Sequence, residues 1–269
     1  MSLLIIGGDL RSRFVADIAK ARGQEVYTIG HGAEQEQLEK CDVVLLPIPV
    51  AEQDGLIPCA LSPEPILLPA IQGLLTGRVW GGRQGAMLQQ AVRNNNAEYR
   101  DPNDIEAYAI ANAYISAEGA IVSALARYPG VIKQTRVLIV GYGRIGRCLS
   151  RLLNAWGAYV IVAARNTEQR EWALADGSGE TVNLDSLADA ADRCDILFQT
   201  APVMLINESI LRRMKRGSLI SDLTRNGADI ELANKMGMNA WRDSGIPGRY
   251  APEAAAKIIY EVICSKTEV

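Results

Sequence analysis

The chain has 269 residues, of which 48% are hydrophobic and 22% charged, with a formal net charge of −3 and a pI near 5.4. That composition suits a globular protein of two ordinary domains, and nothing in the charge balance calls for nucleic acid or an acidic membrane surface as a partner. No apolar run approaches the ~20 residues a bilayer-spanning helix needs, and Met1–Gly8 is too short for a signal peptide, so a cytoplasmic location is expected. The five cysteines (Cys41, Cys59, Cys148, Cys194, Cys264) show no C-x-x-C or metal-ligand spacing and read as reduced thiols. With one histidine in the chain, His31, a histidine-rich metal site is excluded.

From the N-terminus, Leu3–Ile6 reads as a buried strand, Gly7-Gly8-Asp9-Leu10-Arg11 as a turn, and Phe14–Ala21 as an amphipathic helix. Val26–Ile29 is a second strand, and His31 follows it in a glycine-flanked turn, as a loop residue rather than a catalytic base. Asp42–Leu46 is a third strand, stopped by Pro47 and Pro49, and Arg78–Trp80 a fourth. The polar stretch Arg93–Asp104 reads as an exposed connection. Ala107–Asn112 fits strand or helix equally by pattern. Ser116 is the expected N-cap of a helix that ends at Tyr128-Pro129-Gly130.

The most informative segment comes next. Arg136–Val140 is a short strand rich in β-branched residues, Gly141-Tyr142-Gly143-Arg144-Ile145-Gly146 is a G-x-G-x-x-G turn, Arg147–Leu153 has helical spacing, and Ala158–Ala164 is a further strand. In this strand–turn–helix–strand setting Gly141 serves the tight turn, Gly143 lets the backbone approach a pyrophosphate, and Gly146 permits close helix–strand packing. The phosphates then meet the free N–H groups of a helix N-terminus. An NAD site usually carries Asp or Glu about 20 residues beyond the motif. This strand instead ends Ala163-Ala164-Arg165-Asn166-Thr167, and Arg165 with Asn166 suits a 2′-phosphate, so NADP is expected as cofactor with NAD as the alternative.

Cys194–Thr200 and Ser218–Asp222 are strand-like, Met238–Trp241 is the candidate last strand, and Pro252–Lys266 has the spacing of a helix that returns to the first domain. Alternating strands and helices in both halves predict an α/β protein of two doubly wound, parallel-sheet, Rossmann-like domains with a crevice between them. The expected boundaries are 1–115, completed by 250–269, for a substrate-type domain, and 116–249 for the NADP-binding domain. Thr200, Ala201 and Pro202 end the strand that usually lines the cofactor.

These segments together resemble the dipicolinate synthase A-subunit family, whose members are dehydrogenase-like. The resemblance spans nearly the whole chain. Its matches are Gly7–Arg11, Asn112–Ile121, Val140–Gly146 with Ala164-Arg165, Thr200-Ala201-Pro202, Ser221-Asp222-Leu223 and Gly245–Pro252. Tyr114-Ile115-Ser116 departs from the family's I-P-T pattern, and the first domain is short between Val50 and Trp80. The resemblance implies an NADP-dependent oxidation of dihydrodipicolinate, or of a hydroxylated tetrahydro precursor, to dipicolinate in sporulation. It also implies a partner, the flavoprotein-like second subunit of dipicolinate synthase, and a homo-oligomer is expected besides. No catalytic residue is assigned.

Substrate contacts are expected in the first domain from the amides of Gly7 and Gly8 and from Arg11, with Asp9 orienting Arg11, accepting a proton from the ring, or simply capping the helix. At the next helix start Ser116 and Glu118 are candidates, Glu118 either as base or as a complement to the helix dipole. Arg225, with Asn226, follows the Ser221–Leu223 strand and reaches cofactor or substrate. Two other readings stay open: a different two-domain NAD(P)-dependent dehydrogenase of a small carboxylate, and a non-catalytic nucleotide-binding subunit.

Overall fold

The structure, a computed structural model, describes residues 1–32, 40–50 and 55–265. It divides into two compact units, Met1–Asn112 with Gly248–Val269 and Ala113–Pro247. The first unit runs β1 (Ser2–Ile6), α1 (Leu10–Ala21), β2 (Glu25–Ile29), β3 (Val43–Leu45), β4 (Leu56–Ile57), β5 (Ile66–Leu67), α2 (Leu68–Ile71), β6 (Arg78–Trp80), α3 (Ala86–Asn94) and β7 (Glu98–Arg100). Its sheet has the order β2-β1-β3-β6-β7 with every pair parallel, and β4 and β5 form a separate antiparallel pair.

Period-two alternation in the strands supplies two cores. Leu4 and Ile6 of β1 face Val44, Leu88 and Val92, while Leu3 and Ile5 face Val15, Ala19 and Trp80 on the other side. The helix α4 (Glu106–Leu125) leaves this unit and continues into the second.

The second unit continues with β8 (Arg136–Val140), α5 (Arg144–Ala155), β9 (Tyr159–Ala163), α6 (Thr167–Ala175), β10 (Glu180–Val182), α7 (Leu187–Asp192), β11 (Ile196–Gln199), α8 (Glu208–Leu211), β12 (Leu219–Asp222), α9 (Ile230–Lys235), β13 (Asn239–Arg242) and α10 (Ile246–Tyr250). Its parallel sheet has the order β10-β9-β8-β11-β12-β13, the doubly wound order in which the chain reverses direction between the first and fourth strands. The final helix, α11 (Pro252–Cys264), returns to the first unit, where Ala256, Ile259 and Ile263 complete the core around Val15 and Ala19.

The expected doubly wound α/β class is therefore the fold of this chain. One open reading is settled and two local expectations are corrected. Ala107–Asn112 is helical, and Ser116 is no cap: it lies buried in the middle of α4. The alanine-rich run from Glu106 favours helix, and no proline interrupts it. The stretch Arg93–Asp104 holds a strand, because Tyr99 of β7 packs into the core beside the sheet edge while its neighbours stay polar.

Candidate dinucleotide site

At the carboxyl ends of β8, β9 and β11 the second unit has a cavity of about 300 Å³, located where the strand order reverses. Its lining includes Gly141, Gly143, Ala164, Arg165, Thr200 and Pro202. Three loops far apart in sequence thus meet at one place, and all three are among the segments that the sequence marks for a cofactor.

The glycines differ in what they do. Gly141 has φ +100°, and its N–H donates to the Ala163 carbonyl at 2.8 Å, which closes the turn against β9. A Cβ at Gly146 would collide with the Gly141 carbonyl, so this glycine serves packing between turn and helix. A Cβ at Gly143 would meet nothing within 4 Å. Gly143 is also the N-cap residue of α5, so the space beside it lies at the positive end of a twelve-residue helix. That open cradle fits a pyrophosphate.

On the other rim, Ala164 is buried as floor, while Arg165 is exposed and forms no ion pair with any described residue. Asn166 is the N-cap of α6, and its Oδ1 accepts from the Gln169 N–H at 2.8 Å. Arg170 donates 2.8 Å to the Ala164 carbonyl and 2.9 Å to Thr167 Oγ1, so it braces the strand end that delivers Arg165. Arg144 and Ile145 lie in the first turn of α5, outside the lining. Tyr142 and Ala163 also border the cavity, and Gln169, Leu184, Val203 and Leu205, which sequence reasoning misses, complete the wall. Gln169 carries a readable signal, three residues past a cap. The others come from loops whose course only the packed sheet defines.

The expected substrate residues are placed less favourably. The Gly7 N–H donates to the Ile29 carbonyl at 2.9 Å and the Gly8 N–H to the Pro58 carbonyl at 2.7 Å. Neither amide is left for a carboxylate, and the expected amide site is corrected on that ground. Asp9 caps α1 through the Arg11 N–H and also takes the Arg11 guanidinium, with Nε at 2.9 Å from Oδ1 and Nη2 at 2.8 Å from Oδ2. The guanidinium also donates to the Ile48 carbonyl at 2.7 Å. Burial alone would raise the Asp9 carboxyl, but Arg11 outweighs it and holds the group below the usual range. A Cβ at Gly248 would lie 2.5 Å from Asp9 Oδ2, which is why glycine suits that position.

Glu118 is exposed on α4, and Arg225 and Asn226 are exposed at the tip of the loop after β12. Asp222, fully buried, organises that loop. Its Oδ1 accepts from the Thr224 N–H and hydroxyl, and its Oδ2 from the Gly227 and Ala228 N–H groups, at 2.7–3.1 Å. His31 donates from Nε2 to the Gly7 carbonyl at 3.0 Å and its pKa is lowered, chiefly by burial, as suits a neutral loop residue. Among the described residues no cluster of ligating side chains could hold a metal ion, and no helix is long and apolar enough to cross a membrane.

A two-unit α/β protein with a glycine-turn cavity at a topological switch point is dehydrogenase-like, and residues 109–229 match the model of the D-isomer specific 2-hydroxyacid dehydrogenase, NAD binding domain. The chain accordingly carries a site for a nicotinamide dinucleotide. Residues 2–101 match the N-terminal domain of the dipicolinate synthase A-subunit. The dipicolinate synthase A-subunit of Bacillus subtilis (strain 168) is 25% identical, over 98% of this chain and 94% of that protein, so the resemblance to this family extends along the chain. The crystal structure of the dipicolinate synthase A-subunit from Bacillus halodurans shares the fold, with a TM-score of 0.87 at 24% identity over 98% of both chains. The apo-structure of D-lactate dehydrogenase from Escherichia coli is a more distant likeness, with a TM-score of 0.59 at 15% identity over 96% of this chain and 93% of that one.

Proposed function

We propose that the protein is an NADP-dependent dehydrogenase that oxidises dihydrodipicolinate, or its hydroxylated tetrahydro precursor, to dipicolinate. The observation that carries this reading is the pairing, around one cavity, of an open glycine cradle at Gly143 with an exposed Arg165 at the end of β9 that has no ion pair among the described residues. The similarity to dipicolinate synthase supports the substrate class.

In this reading Gly141, Gly143 and the first turn of α5, with Arg144 and Ile145, hold the pyrophosphate, and Gly146 lets the helix approach. Ala164, Arg165 and Asn166 receive the adenosine ribose, where Arg165 offers two parallel donors to a 2′-phosphate. Thr200, Ala201 and Pro202 form the opposing wall. A bound nicotinamide supplies the hydride acceptor. Aromatisation of the ring provides driving force, so the chain's own task is to orient a dicarboxylate.

Arg225 suits that task. It stands exposed on a loop that Asp222 fixes with four hydrogen bonds, and a guanidinium pairs with a carboxylate bidentately. Glu118 offers a carboxylate from α4. The homologue's name marks it as one subunit of a synthase, which supports assembly with a second subunit. That the second subunit is flavoprotein-like, that the assembly acts in sporulating cells and that this chain is itself homo-oligomeric within it are parts of the proposal.

The test is reduction of NADP, followed by absorbance, when the purified chain meets freshly generated dihydrodipicolinate with and without the flavoprotein-like partner. Turnover with NADP well above NAD supports the reading. Binding of dinucleotide with no reduction under either condition would favour a nucleotide-binding role without catalysis. Full turnover by the chain alone, with no companion in co-purification, would overturn the partner assignment.

A further inference from the structure

The glycine turn carries a large side chain at its centre. Tyr142 stands between Gly141 and Gly143 yet is buried, with 6% of its surface exposed, and its hydroxyl donates 2.8 Å to Asp176 Oδ2. Asp176 closes the C-terminus of α6, where the helix dipole is negative and a carboxylate is the wrong charge. Two arginines of α5 compensate. Arg147 Nε lies 2.7 Å from Oδ2 and Arg151 Nη2 lies 2.9 Å from Oδ1. Burial alone would raise this carboxyl, but the hydrogen bonds from Arg147, Arg151 and Tyr142 prevail and hold it at about 2. Asp176 is therefore a charged acceptor throughout the physiological range.

The turn needs such an anchor. Gly141 is held through its N–H to the Ala163 carbonyl and through its carbonyl to the Thr200 hydroxyl, but Gly143 has no side chain to restrain the peptide groups that follow, and glycine has the least restricted backbone of any residue. Tyr142 is the one side chain between them. Its hydroxyl bond ties the turn to α5 and α6, the two helices whose N-termini flank the cavity.

We infer that the Tyr142–Asp176 hydrogen bond is a positioning device that holds the peptide groups of residues 141–143 in the phosphate-binding orientation. Tyr142 and Asp176 are positioning residues, and their hydroxyl and carboxylate act through the turn rather than on the ligand. The inference rests on the dinucleotide reading of the cavity.

The decisive variant is Tyr142→Phe, which keeps the ring in the core and deletes only the hydroxyl. Calorimetric titration of the full chain with NADP, NAD, ADP-ribose and adenosine gives the readout, together with the ligand-free melting temperature. The three pyrophosphate ligands should weaken together by about tenfold, since one charge-assisted hydrogen bond no longer orders the turn. Adenosine, which fills the adenine end alone, should change by less than about twofold, and the fold should persist. Asp176→Glu, which keeps an acceptor for the tyrosine, should retain part of the wild-type affinity.

Unchanged dissociation constants for the pyrophosphate ligands in Tyr142→Phe would overturn the inference and leave the dinucleotide reading intact. Equal weakening of adenosine would also overturn it, since the whole cavity would then have been disturbed. Failure of the wild-type chain to bind any dinucleotide would remove both.

Discussion

The Thr200 hydroxyl shares its hydrogen between the carbonyls of Val140 at 2.9 Å and Gly141 at 3.2 Å, so the end of β11 grips the end of β8 where the glycine turn begins. A Cβ on Gly141 would sit 2.7 Å from that same Oγ1, on backbone at φ +100°. Gly141→Ala should therefore cost about 1–3 kcal/mol of stability and weaken dinucleotide binding at least about tenfold. Urea unfolding and NADP titration measure the two effects. Near-wild-type values for both would show that the turn tolerates a side chain.

Arg165 sets the expected cofactor preference by charge. Arg165→Asp should weaken NADP binding by about 1.5–3 kcal/mol and spare NAD, because only the 2′-phosphate loses its partner. Parallel titrations decide the matter. Equal losses for the two dinucleotides would place Arg165 elsewhere than at the ribose.

Arg11 serves the first unit structurally through Asp9 and the Ile48 carbonyl. Arg11→Ala leaves the half-buried Asp9 carboxylate without its cation, and a loss of about 1–2 kcal/mol follows once partial solvent screening is allowed for. The NADP dissociation constant should not move. An unchanged unfolding midpoint combined with a raised substrate KM would return Arg11 to direct substrate contact.

Asp176 supplies an acid-sensitive part of stability. Its folded-state carboxyl titrates at about 2 against a reference of 3.8, so the unfolded chain binds the proton more readily. The stabilisation is fully present above about pH 4 and is lost as pH falls toward about 2. Wild-type unfolding free energy should drop across that window, and Asp176→Asn should flatten the drop while lowering stability at neutral pH. Identical pH profiles for the two proteins would show that other carboxylates carry the acid transition.

Much of this molecule is legible in the sequence because the signals are local. Continuous apolar runs at Leu3–Ile6 and Val137–Val140, the glycine turn between strand and helix, and Arg165 in place of an acid can be read within windows of a few residues, and backbone geometry alone gives them meaning. The same locality misleads at Ser116, where a good cap residue sits inside α4 because helix propensity runs on through it. It also misleads at Gly7 and Gly8, whose amides look free in a turn until the Ile29 carbonyl at the end of β2 and the Pro58 carbonyl reach them.

What only the tertiary structure decided is which polar groups are already spent. Asp9 takes Arg11, Asp222 gathers the 224–228 loop, and Asp176 draws Tyr142, Arg147 and Arg151 from the glycine turn and the helix behind it. The sequence by itself determined the doubly wound frame and the glycine turn, since propensity and periodicity act along the chain. Which groups stay open to a ligand was decided by packing, because a buried donor or acceptor takes whichever partner the fold brings within about 3 Å, whatever its distance in sequence.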